Sequence, residues 1–154
     1  MQRLLWFFLL VTLTAYAEDI VKPLHSYKGW IQTAEDQPRS QAVLIRSPQE
    51  WGEFQKRLSG QRPCHDRKAL EPNPDPLRKG LKIDFSKQMA VAVWGRDIHT
   101  DVRVRRVERT PNGVKVHRIV DRPEGSESLP APRGIGRYEL WVVPRMDGPL
   151  MRLD

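Results

Sequence analysis

The side chains best equipped for chemistry stand in a row at Cys64-His65-Asp66: a thiol, an imidazole and a carboxylate. These are the residue types of a nucleophile, its base and the group that orients the base. Their spacing argues against that use. A catalytic Cys and His normally meet through the fold rather than as sequence neighbours, and no sequence suited to an oxyanion hole accompanies them. The chain is therefore read as non-enzymatic. Cys64 is the single cysteine, so no intrachain disulfide can form, and its thiol is a candidate for redox modification or for a bond to another chain. A metal centre has no better support. His25, His65, His99 and His117 are scattered, and no two have the close spacing of a structural zinc site. Neither a metal nor a cofactor is expected.

A second group of side chains is cationic. Val102 and Val104 alternate with Arg103 and Arg105, and then Arg106 precedes Val107, so the phase slips by one. That slip predicts a bulge near Arg105-Arg106. Thr110-Pro111-Asn112-Gly113 is a strong turn, and Val114 and Val116 alternate with Lys115 and His117 on the way back. The hairpin should carry its valines on one face and Arg103, Arg105, Lys115 and His117 on the other, with His117 roughly opposite Val107. Such a face can bind an anionic polymer. A merely solvated sheet surface has the same composition. The whole chain, with 26 Lys and Arg against 19 Asp and Glu and a net charge of +7, favours acidic partners in general.

The elements that position these groups begin with a leader. Met1-Gln2-Arg3 is basic, Leu4 to Leu13 is nearly all apolar, and Ala15-Tyr16-Ala17 offers small residues for cleavage. This is the pattern of a secretory signal peptide over 1–17. The apolar run is shorter than the roughly 20 residues a bilayer span needs, and no cysteine follows it to carry a lipid. The working chain is expected to start at Glu18, outside the cytoplasm, in the periplasm or beyond. Nucleic acid is not an expected partner there, and no transmembrane segment is expected after cleavage.

The remaining length fits one domain. Residues 18–40 read as a polar leader with a first strand near Tyr27–Thr33, and Gln41–Arg46 as a short strand. Ser47-Pro48-Gln49-Glu50 fits a capping box with proline at the first helical position. Trp51, Phe54 and Leu58 follow as one apolar stripe, which predicts a helix over 48–58 closed by Gly60. Gln61–Lys82 holds Pro63, Pro72, Pro74 and Pro76 and reads as a long irregular loop. Met89–Trp94 is apolar on both faces, as a central strand should be. Residues 121–137 form a second long loop. Tyr138–Val143 is a last strand, with Tyr138, Leu140 and Val142 on one side and Trp141 and Val143 on the other.

Three pieces in order carry a family resemblance: a strand followed by Ser47-Pro48-Gln49-Glu50-Trp51, the segment Ile83-Asp84-Phe85-Ser86-Lys87 leading to Met89–Gly95, and the ending Tyr138–Arg145. Together they resemble the protease complex subunit PrcB family over about Val43 to Arg145. The resemblance implies a non-catalytic accessory role beside an exported protease. The family commonly has a Thr-Gly-Gly-Tyr-like turn after the apolar strand. This chain has Arg96-Asp97-Ile98-His99-Thr100-Asp101 instead, so nothing carried by that turn transfers.

The expected fold is a single α+β domain over 41–145, a mainly antiparallel sheet of five or six strands with the helix packed on one face, and 146–154 as a tail. The expected core is Val43, Ile45, Trp51, Phe54, Leu58, Phe85, Val91, Val93, Val102, Val104, Val116, Leu140 and Val142. Two functions fit: a secreted module that binds another exported protein through the loops at 61–82 and 121–137, or an envelope module that binds anionic polymer through the hairpin face.

Overall fold

The computed structural model describes residues 19–64, 69–126 and 132–151. The signal segment, His65 and Asp66 lie outside the described residues. The centre of the molecule is β6 (Gln88–Gly95), buried from Met89 to Gly95. It pairs antiparallel with β3 (Ser40–Ile45) on one side and with β9 (Ile135–Pro144) on the other. Outside β9 lies β2 (His25–Gln32), which completes a four-stranded sheet in the order β2-β9-β6-β3.

The two faces of this sheet bury different things. Ala90, Ala92 and Trp94 of β6, with Tyr138, Leu140 and Val142 of β9, meet the helix α1 (Pro48–Lys56) through Trp51 and Phe54. Met89, Val91 and Val93, with Val143, meet a second sheet instead. That sheet is built on the hairpin of β7 (Asp101–Thr110) and β8 (Gly113–Asp121). Its edges are β1 (Asp19–Val21) beside β7 and β10 (Leu150–Met151) beside β8, the last pair parallel. The α+β class and the helix on one face are as expected. The strands, however, form two facing sheets rather than one. A strand apolar on both faces needs a cover on each, and one helix supplies only one. The leader adds β1 to this second sheet and β2 to the first, the tail adds β10 to the second, and Met146 of the tail is buried in the second sheet's core. Of the expected core, Val43 and Phe85 are only partly buried and the other residues are buried.

Helix α1 starts as its sequence requires. Glu50 N donates to Ser47 Oγ at 3.2 Å. The return bond goes to Arg46 N, which donates to Glu50 Oε2 at 2.6 Å. The helix stops at Lys56, before Leu58, because the next backbone is taken by β2: Gln32 N donates to Arg57 O at 2.7 Å and Ser59 N to Trp30 O at 2.8 Å. Leu58 remains in the core from this extended position. Phe54 sits at the middle of the aromatic cluster, edge-on to Tyr138 at 5.7 Å and stacked with Trp51 at 5.8 Å.

The described residues of the proline-rich stretch include short regular elements, against expectation. β4 (Gln61–Pro63) pairs with β5 (Leu70–Pro72), and Pro76–Lys79 forms a short 3-10 turn. Prolines are tolerated there because Pro63 and Pro72 stand at the ends of an isolated two-stranded ribbon with few ladder bonds to lose. The turn is pinned down by Leu77, which enters the helix-side core, and by the buried Asp75. Tyr138 donates to Asp75 Oδ2 at 2.7 Å, and Leu77 N donates to Asp75 Oδ1 at 2.9 Å.

Candidate functional site

The bulge in the basic hairpin is where the valine phase put it, between Val104 and Arg106. Arg105 is the extra residue. His117 consequently faces Arg106 rather than Val107. Arg103 and Arg105 are exposed, but Lys115 and His117 are half-buried. What draws them in is Glu108, the residue opposite Lys115 on β7. Arg106 Nε lies 2.5 Å from Glu108 Oε1, His117 Nε2 donates to Oε2 at 2.9 Å, and Lys115 Nζ is 4.0 Å away. Glu108 is only 1 % exposed, covered by these side chains. The hydrogen bond from His117 and the neighbouring cations hold its carboxyl below the usual range, against the opposing effect of desolvation. Half of the expected basic surface thus converges on one internal carboxylate.

The pH dependence follows from that direction. A depressed carboxylate pKa contributes stability above the ordinary carboxylate range and loses it as pH falls through the folded value. Glu108→Gln is expected to lower Tm at pH 7 by about 3–5 °C. The gap to wild type should narrow below about pH 4. Thermal melts from pH 7 to pH 3 check this, and a gap constant with pH would contradict the charge role.

Arg103 lines a polar cleft of about 390 Å³ with Lys28, Trp30, Arg137 and Glu139. Its charges are largely matched: Arg103 lies 3.3 Å from Asp101 and Lys28 3.9 Å from Glu139. Glu139 also bridges the sheets, accepting from Val104 N at 2.8 Å and from Trp141 Nε1 at 3.1 Å. Cys64 is half-buried and unbridged, its N–H donating to Ala69 O at 2.9 Å. Among the described residues no group of three or more His, Cys, Asp or Glu could hold a metal ion. The turn at 96–101 is closed by Asp97, whose Oδ1 accepts from His99 N, Thr100 N and Thr100 Oγ1 at 2.9–3.0 Å.

The hollow best suited to a partner lies elsewhere. Beside β3 a groove of about 330 Å³ is lined by Val43, Leu44, Ile45, Phe54 and Trp94, with Gln49, Glu50, Glu53 and Arg57 along the helix wall. Arg57 closes one end, its guanidinium 4.7 Å from the Trp94 ring centre. Burial there lowers its pKa from the usual arginine value. Among the described residues β3 is bonded on one side only, to β6. Arg96 N donates to Arg39 O at 2.9 Å. That bond sets the phase of the ladder: residues 41, 43 and 45 bond inward, and the N–H and C=O of Ala42 and Leu44 point to the open edge. The apolar run marks β3 but not this edge, because strand order is not encoded locally. The one available signal was the absence of any charge or proline in Ser40–Ile45.

Fold and site together define a two-sheet α+β module with an apolar groove between a helix and an open strand edge. Comparison with family models, with curated proteins and with solved structures finds no match for this chain.

Proposed function

We propose that the chain is an exported, non-enzymatic accessory module that binds another exported protein. The observation that carries this reading is the apolar groove beside the open edge of β3. The signal-like start at 1–17 and the PrcB-like order of motifs support export and an accessory role beside a protease. The loop at 61–82 is a poorer contact surface than the groove, since Asp75 and Leu77 tie it to the core. The polymer-binding reading ranks second, because Lys115 and His117 are turned toward Glu108.

The test is a photo-crosslinking side chain at Gln49, which is exposed on the groove wall, with a second at Arg103 for comparison, in the native cell. One dominant exported protein joined at position 49 is the expected result. No protein adduct at 49, together with salt-sensitive retention on anionic polymer, would overturn it in favour of the hairpin face.

A further inference from the structure

We infer that the cleft between β2, β9 and the start of β7 is a second binding site, which takes the carboxylate of a small organic acid on Arg137. The cleft shares no residue with the groove beside β3, and the inference does not depend on the protein-binding reading.

Strand alternation builds the site. Tyr138 and Leu140 of β9 enter the helix-side core, so Arg137 and Glu139 face the hairpin. Across the ladder Trp30 stands opposite Arg137, and Lys28 opposite Glu139, which puts all four side chains on one face. β1 pairs with β7 only at Val107–Arg109. The start of β7 lacks that neighbour, and Asp101 and Arg103 form the far wall of the cleft.

Both acids of the cleft are already engaged. Asp101 lies 3.3 Å from Arg103. Glu139 accepts from Val104 N on one oxygen and from Trp141 Nε1 on the other, with Lys28 loosely placed at 3.9 Å. Arg137 has no such partner. Among the described residues it makes no ion pair, and its buried Nε has no hydrogen-bond acceptor. What holds it is Trp30, whose ring centre lies 5.0 Å from the guanidinium carbon. A stack of this kind uses the flat face of the guanidinium and leaves its N–H edge for an acceptor in the same plane. A buried donor without an acceptor is costly unless water or a ligand meets it.

The charge count selects the ligand. Three cations and two carboxylates line the cleft, so one positive charge is unmatched and a monoanion balances it. A dianion such as phosphate would set a second negative charge beside Asp101 and Glu139. A flat carboxylate also fits the guanidinium edge through two parallel hydrogen bonds. The cleft, about 390 Å³, suits a body the size of one amino acid or one sugar ring. The indole of Trp30 and the stem of Lys28 offer that body apolar contact.

The test follows amide NMR signals of the purified protein during titration with two acids, N-acetylalanine and glucuronate, each beside its neutral amide. Signals of Gly29, Trp30, Val102 and Arg137 should move saturably with at least one acid, at a Kd of about 1–10 mM. The matching amide should bind about tenfold more weakly or worse. The acid that binds more tightly names the source, an amino-acid carboxylate or a sugar acid. Arg137→Gln should weaken binding by about tenfold or more. Arg105→Gln, exposed and outside the cleft, should change it by less than about twofold. The comparison of acid with amide leaves the protein unaltered, so it decides the matter even where Arg137→Gln fails to fold. Equal binding of acid and amide, tighter binding of inorganic phosphate, no saturable shift below about 50 mM with either acid, or binding lost with Arg105→Gln would each overturn the inference.

Discussion

Gly136→Ala is expected to cost about 3 kcal/mol or more and to leave little folded protein at 37 °C. A Cβ at Gly136 would stand 1.9 Å from Gly95 O and 3.0 Å from Gly95 C and Thr33 Cγ2. The two Gly95 atoms are main chain of the central strand β6, which cannot swing aside as a side-chain tip can. Gly95 has its own constraint, since a Cβ there would lie 2.3 Å from Thr100 O, where the Asp97 turn folds back. The two glycines thus let β9, the end of β6 and that turn close on one another. Gly52→Ala is the control. It lies inside α1 with nothing within 4 Å of the added carbon, so it should stabilise by about 0.5–1 kcal/mol. Urea denaturation of the two variants against wild type reads both signs. A Gly136→Ala protein within about 1 kcal/mol of wild type would mean the strands yield more easily than their packing implies.

Tyr138→Phe is expected to cost about 1.5–3 kcal/mol and to loosen the segment around Asp75. The substitution removes one oxygen and keeps the ring against Phe54. Among the described residues it leaves the buried Asp75 carboxylate with Leu77 N as its remaining donor. Burial first, and the bond to Asp75 second, push the Tyr138 phenol far above its usual pKa, so it remains a donor throughout the working pH range. Gly29 makes room for the pair: a Cβ there would fall 2.2 Å from Asp75 Oδ2 and 2.8 Å from Tyr138 Cε1. Gly29→Ala should therefore reproduce the effect of Tyr138→Phe from the other side. Limited proteolysis is the sensitive readout. Both variants should be cut within 61–82 faster than wild type, since Leu77 would be held in the core less often. Unchanged cleavage in both would show that Leu77 alone holds the segment.

Much of this molecule is legible in short stretches of its sequence. Ser47-Pro48-Gln49-Glu50 specifies the start of α1 because a cap is a matter of neighbouring residues. The valine phase slip locates the bulge at Arg105, and Thr110–Gly113 locates the turn, because both are properties of one hairpin. The doubly apolar run at Met89–Trp94 marks β6 as central. What periodicity cannot say is which cover each face receives. The division into a helix-covered face and a sheet-covered face depends on β9 passing beside β6 and on the hairpin folding over it. Both are pairings across long stretches of chain. The same holds for β1 and β10, too short to show any period and ordered only by the strands they join. Glu108 reads locally as one more charge in an exposed alternation. Only the register against β8 brings Lys115 and His117 to it, beside Arg106 of its own strand. The Asp75–Tyr138 bond joins residues 63 positions apart. The open edge of β3 is likewise a fact of strand order, hence of the whole chain. Caps, turns and alternation belong to neighbours and can be read from them. Sheet order, burial of charge and free edges belong to contacts between distant segments, and the folded chain alone decides them.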